Sequence, residues 1–153
     1  AWNQKFACDT SSTCSRFLLL SNWNNEAVLD RETGLVWERT RDYLLYNWAD
    51  ANRHCNRRTT GGRLGWRLPT VQELASLVDP TVKTSSTVAS LPPGHPFTGS
   101  ALWNAHWSAT RSLDPNYAWI VSFWRTAEGS TGIGGGYKGN THHTWCVNNG
   151  PGH

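Results

Sequence analysis

Methionine is absent from this chain, charged residues supply only 16% of it, and the formal net charge is just +3. With so mild a balance and no run of Lys or Arg, a nucleic-acid track is excluded and a slightly basic solvated surface is left. No apolar run approaches the ~20 residues of a membrane-spanning helix; FLLL at 17–20 is only a short strand. The four cysteines include no CxxC pair, which argues against a zinc site or a redox dithiol and favours disulfides. A nucleophile-elbow motif is missing as well. The GGG at 134–136 lacks the strand–helix context of a phosphate loop and reads as a flexible hairpin tip.

What is present is tryptophan, 10 residues, and glycine, 14, in a chain of 153 residues. That length is one domain with a buried core, and the composition fits a loop-rich extracellular module. Two disulfides imply export to an oxidising compartment, so a secreted, extracellular or cell-surface location is expected. The AWN start is compatible with a mature end left by signal peptidase or with an arbitrary boundary.

Residues 1–15 read as a polar arm in which Cys8 and Cys14 are close enough to close a small disulfide loop. Residues 16–153 form the domain. RFLLL (16–20) is its first strand, and AVLD (27–30) and LVWE (35–38) make a hairpin around a connector ending in Gly34. Val28, Leu35 and Trp37 are expected to face the core. Asn47 caps a first helix whose Trp48, Ala51 and Cys55 share one face, with Gly61-Gly62 ending it. Arg53, Arg57 and Arg58 point elsewhere. With Arg63, the last two suit a sulfate or carboxylate group, or simply a solvated helix end that complements the dipole.

The most informative stretch is GGRLGWRLPTVQELASLVDP (61–80). Thr70 and Glu73 have the spacing of a capping box, and Pro69 holds Leu68 extended on the way in. Val71, Leu74, Leu77 and Val78 then form one apolar stripe, and Asp79-Pro80 stops the helix. Trp66, Arg67 and Leu68 put a guanidinium between large apolar residues, a place for carbonyls or a carboxylate to hold it. Residues 81–101 are a long ordered loop. Trp103 and Trp107 lead into C-terminal strands at WSAT (107–110) and AWIVSFW (118–124). In the latter, Trp119, Val121 and Phe123 alternate with Ile120 and Trp124, so the strand is expected to be buried on both sides or to lie at an interface. TWCV (144–147) is the last strand. His142 and His143, adjacent on a strand, point to opposite faces and cannot easily share a metal ion; no cofactor is expected.

The ordered set AVLDRETGLVWE, WADANRHC, GGRLGWRLPTVQELASLVDP, WSAT, AWIVSF and WCV resembles a large bacterial family of domains of unknown function, typified by the C-terminal domain of a Legionella collagen-like adhesin (Lcl). The resemblance runs from about residue 17 to 147. It implies an α+β, C-type-lectin-like or formylglycine-generating-enzyme-like single domain: two helices on small twisted antiparallel sheets, with long loops and disulfide stabilisation. It also implies a Cys55–Cys146 bridge, with Cys8–Cys14 as the second pair. The Glu-Pro-Asn, Gln-Pro-Asp and Trp-Asn-Asp motifs of calcium-dependent lectins are absent. The reactive cysteine pair of the formylglycine-generating enzymes is reduced to Cys146, which disfavours that chemistry. The expected function is therefore non-enzymatic. One reading is a secreted subunit that self-associates into an oligomer or fibre, through an arm that adds to a neighbour's sheet. The other is a calcium-independent glycan-binding adhesin module in which Trp103, Trp107 and Arg111 make the contacts, unless those tryptophans are core.

Overall fold

The computed structural model describes residues 16–79, 91–92, 95–98, 104–123 and 132–150. The arm at 1–15 with Cys8 and Cys14, most of the 81–101 loop, Trp103 and Trp124 fall outside the described residues. In chain order the elements are β1 (Phe17–Leu19), β2 (Ala27–Asp30), β3 (Val36–Glu38), β4 (Asp42–Tyr46), α1 (Trp48–Asn56) and α2 (Val71–Ala75). They continue with β5 (Ala105–Arg111), β6 (Tyr117–Ser122), β7 (Gly132–Tyr137), β8 (His142–Thr144) and β9 (Val147–Asn148). One sheet has the order β1-β2-β3-β9 and the other β4-β8-β5-β6-β7; only β5 and β8 run parallel. The architecture is α+β, with two helices, two mostly antiparallel sheets and one disulfide, Cys55–Cys146, in the described core.

Local chemistry explains the elements. Gly34 sits at φ 78° in the β2–β3 connector, and its N–H donates to the Asp30 carbonyl at 2.7 Å. Asn47 caps α1 by accepting from Asp50 N–H, and Ala51 and Cys55 bury their side chains beside half-buried Trp48. The helix ends at Asn56 and not at the glycine pair, because the Arg57 N–H is shared between the Arg53 and His54 carbonyls; residues 60–62 form a separate 3-10 turn. At α2 the capping box is complete: Thr70 Oγ1 accepts from Glu73 N–H and the Glu73 carboxylate from Thr70 N–H, an arrangement worth about 1 kcal/mol. The helix proper is only five residues long, shorter than its apolar stripe suggests. Pro80 has no N–H for the Ser76 carbonyl, which accepts instead from Arg16 at 2.8 Å. Leu74 and Leu77 are nonetheless fully buried.

Two further expectations change. Residues 132–137 are not a hairpin tip but a six-residue strand in unbroken register with β6. Glycine is required at 136 because a Cβ there would lie 2.9 Å from Ile120 and about 3 Å from the Trp107 ring. TWCV is not one strand. The chain leaves the five-stranded sheet after Thr144 and pairs with β3 from Val147, and buried Trp145 and Cys146 make the crossing. β6 is covered on both faces over part of its length: Ala118 faces one core cluster with Trp107 and Cys146, and Val121 the other with Leu74 and Trp145. Trp119 lies beyond that cover and is 37% exposed.

Candidate functional site: a sealed seam, an arginine cleft and an open edge

At the seam between the sheets, Glu38 is completely buried at the end of β3. Its Oε1 accepts from Cys146 N–H at 3.2 Å. Its Oε2 accepts from Arg58 Nε at 2.8 Å and from the Thr60 hydroxyl at 2.8 Å, with Arg58 Nη2 at 2.7 Å. The Glu38 carbonyl takes the Trp145 indole N–H at 2.8 Å. A buried charge is tolerated only when paired and fully hydrogen-bonded, and Glu38 meets both conditions. Arg58 therefore serves the core carboxylate first, which the sequence reading did not foresee. A second such pair closes the base of β2: Arg16 grips buried Asp30 through Nε and Nη2, both at 2.9 Å.

Arg67 is held by a carboxylate, one of the two expected partners. Its Nη1 and Nη2 donate to the two Glu73 oxygens at 2.7 and 2.8 Å, and Nη2 also reaches Asn149. The fork ties α2 to the extended segment before it and, through Asn149, to the C-terminal segment. Burial pushes the Glu73 carboxyl up, but the Arg67 hydrogen bonds and the Thr70 N–H outweigh it and hold the group below its usual range. Trp66, Leu68 and Pro69 are buried around this joint.

The first helix borders a depression of about 410 Å³ lined by Tyr46, Asp50, Arg53, His54, Arg57 and Arg58. Arg53 pairs with Asp50 at 3.2 Å, and the exposed Arg57 makes no ion pair with a described residue. A second depression of about 480 Å³, with Asn24, Asn25, Glu26, Arg39, Thr40 and Thr60 in its wall, meets the first at Arg58. Arg63 is engaged elsewhere, its guanidinium 5.1 Å from the Trp23 ring centroid. Arg111 is exposed but lies over Trp48, which also carries Lys138 at 4.4 Å. Trp107 offers no face to a ligand: it is fully buried, and its indole N–H donates to the Tyr46 carbonyl at 2.7 Å. The glycine floor of β7 lets it pack that deeply.

His142 and His143 do point apart, as expected: His142 meets the Trp107 ring, and His143 meets His106. His106 is entirely buried among His143, Phe123 and Trp145. Neither of its ring nitrogens reaches a partner in good hydrogen-bonding geometry. Arg41 donates to His143 Nδ1 at 3.2 Å, and the Asn104 amide lies 3.3 Å from Nε2. Burial, then the charges of Arg41 and His143, drives His106 well below the ordinary histidine range. Among the described residues no three His, Cys, Asp or Glu side chains converge as a metal site, and no helix is long and apolar enough to cross a membrane.

The remaining feature is an edge. Tyr117, Trp119, Ile133 and Tyr137 are all exposed on one face of β6 and β7, and β7 pairs only with β6 among the described residues.

The fold and these features define a disulfide-stabilised α+β domain with a sealed interior and an arginine-lined cleft. The family model of the Lcl C-terminal domain matches residues 26–148, and the chain belongs to that family. A search of curated proteins gave no match. The matched span begins just before β2, although β1 and the turn carrying buried Trp23 complete the same sheet and core.

Proposed function

We propose that this is a non-enzymatic, secreted or cell-surface bacterial protein of lectin-like fold that self-associates into an oligomer or fibre and acts as an adhesin. The observation that carries the reading is the β7 edge. A six-residue, regularly paired strand whose outer edge meets no other described strand, with an aromatic face beside it, is a surface that proteins normally cover or blunt. A second copy of the chain covers it. The core Cys55–Cys146 bridge supports an oxidising compartment. Light scattering and negative-stain imaging of the non-reduced protein test the reading: a defined oligomer or filament is expected, and a clean monomer of 17.1 kDa at high concentration overturns it.

The arginine cleft favours a second, compatible activity, binding of an anionic glycan without calcium. Arg57 and Arg53 present charge beside the Tyr46 and His54 rings, which stack 4.8 Å apart. Guanidinium forks suit sulfate and carboxylate groups. On this reading Arg57→Ala weakens retention on a sulfated polysaccharide and shifts folding stability by less than about 0.5 kcal/mol. Unchanged retention removes the cleft from the account.

A further inference from the structure

The two sheets have four edges, and they are not alike. β1 is three residues long, and the arginine before it is locked to Asp30. β9 is two residues long. β4 is bulged, with five residues from Asp42 to Tyr46 set against three from Thr144 to His142. Short length and bulges are the devices that keep edges from pairing. β7 has neither. It matches β6 through six consecutive pairs, contains no proline and no charged residue, and its outward face runs Ile133, Gly135, Tyr137. Gly135 stands opposite Trp119, and a Cβ there would meet nothing closer than Tyr117 at 3.9 Å. The missing side chain at Gly135 therefore leaves open surface between Ile133 and Tyr137, bordered by Tyr117 and Trp119 of β6.

We infer that β7 is the acceptor for the N-terminal arm of a second copy, whose residues 1–7, ahead of the Cys8–Cys14 loop, add to it as a sixth strand of the sheet; this rests on the self-association proposed above. The segment AWNQKFACDTSSTCS has no glycine or proline, and Lys5 and Asp9 are its only charged side chains. Strand alternation puts Trp2, Gln4 and Phe6 on one face, which suits a surface lined by Trp119, Ile133 and Tyr137. The seven residues ahead of Cys8 span up to about 25 Å when extended, enough to match the six residues of β7. Main-chain hydrogen bonds along β7 supply the affinity, and that surface sets the register. Because the donor segment and the acceptor edge are different surfaces, the contact is heterologous and builds a closed ring or an open filament.

The test uses the full chain and its mass by light scattering. Ile133→Lys with Gly135→Lys places two charges on the exposed face of β7, at positions with room for a side chain, and is expected to reduce assemblies to monomers. Leu64→Lys, 80% exposed in a loop, is the charge control and leaves assembly unchanged. A synthetic peptide of residues 1–15, added in about tenfold excess, dissolves wild-type assemblies, whereas the same peptide with Trp2→Ala and Phe6→Ala does not. Thermal unfolding and near-ultraviolet dichroism identify any variant that has merely lost its fold, and the peptide arm needs no variant protein. Wild-type assemblies that resist both the lysine pair and the peptide overturn the inference while leaving self-association standing. Sensitivity to the lysine pair without sensitivity to the peptide overturns the arm as the occupant and points to β7 pairing with β7. A monomeric wild type defeats the underlying reading itself.

Discussion

The seam and the β7 edge solve opposite problems with the same backbone chemistry. At the seam, residues 144–148 pass between two sheets, and side chains fill the places a continuous ladder would have occupied. Glu38 takes the Cys146 N–H, its carbonyl takes the Trp145 indole, and the disulfide pins the crossing to α1. At β7 the ladder is regular on one side, and no described strand meets the other. One region is closed within the chain; on the proposal above, the other is closed by a second chain. Stability is therefore expected to concentrate at the seam and association at the edge, so variants should separate the two.

The largest effect is expected from Cys55→Ala with Cys146→Ala. The bridge spans a sequence separation of 91, and removing it should cost about 4.6 kcal/mol in the chain-entropy picture, read as a lower denaturant midpoint. Glu38→Ala comes next. It strands the Arg58 guanidinium and leaves the Cys146 N–H unpaired, for a loss of about 3 kcal/mol. Glu38→Gln, which keeps an acceptor oxygen for Cys146, should lose visibly less. Equal losses for Ala and Gln would show that the charge pair, and not the seam hydrogen bond, dominates.

Glu73→Gln is smaller, about 1–2 kcal/mol at neutral pH, and carries a pH signature. The Glu73 carboxyl is held below its reference value of 4.5, so its contribution is complete above that pH and is lost as pH falls through the folded-state value. Wild type and variant should therefore converge in acid. His106 has the opposite demand, since it is buried neutral beside Arg41 and His143. Its contribution is complete above about pH 6.5 and declines below it, by at most about 1.4 kcal/mol per pH unit. His106→Phe, which removes two buried ring nitrogens next to Phe123 and Trp145, should flatten the loss of stability between pH 7 and 5. An unchanged slope would place the acid sensitivity in half-buried His142 or His95, which are shifted the same way by burial.

What was legible in the sequence was local. Thr70 and Glu73 announce their capping box because both partners lie within one turn, and Asn47 and Gly34 act over similar distances. The Cys55–Cys146 pairing was accessible only through family resemblance, since spacing leaves other pairings open. Glu38 and Asp30 were missed: an acidic residue ending a short strand looks like solvent-facing polarity, and their arginine partners lie 20 and 14 residues away. Trp107 stayed open between core and ligand contact, because its burial depends on Gly136 in a strand that pairs with β6, and the glycine run there resembles a turn. The edge itself is a property of sheet order, which no single segment encodes.

The most direct measurement is hydrogen–deuterium exchange of the full chain at concentrations above and below assembly. Amides of residues 146–148 should be protected in both states, and those on the outer edge of β7 only in the assembled one. β7 amides that exchange freely in the assembly, or are equally protected in the dilute monomer, would contradict the account of a sealed seam and an edge completed by a second copy.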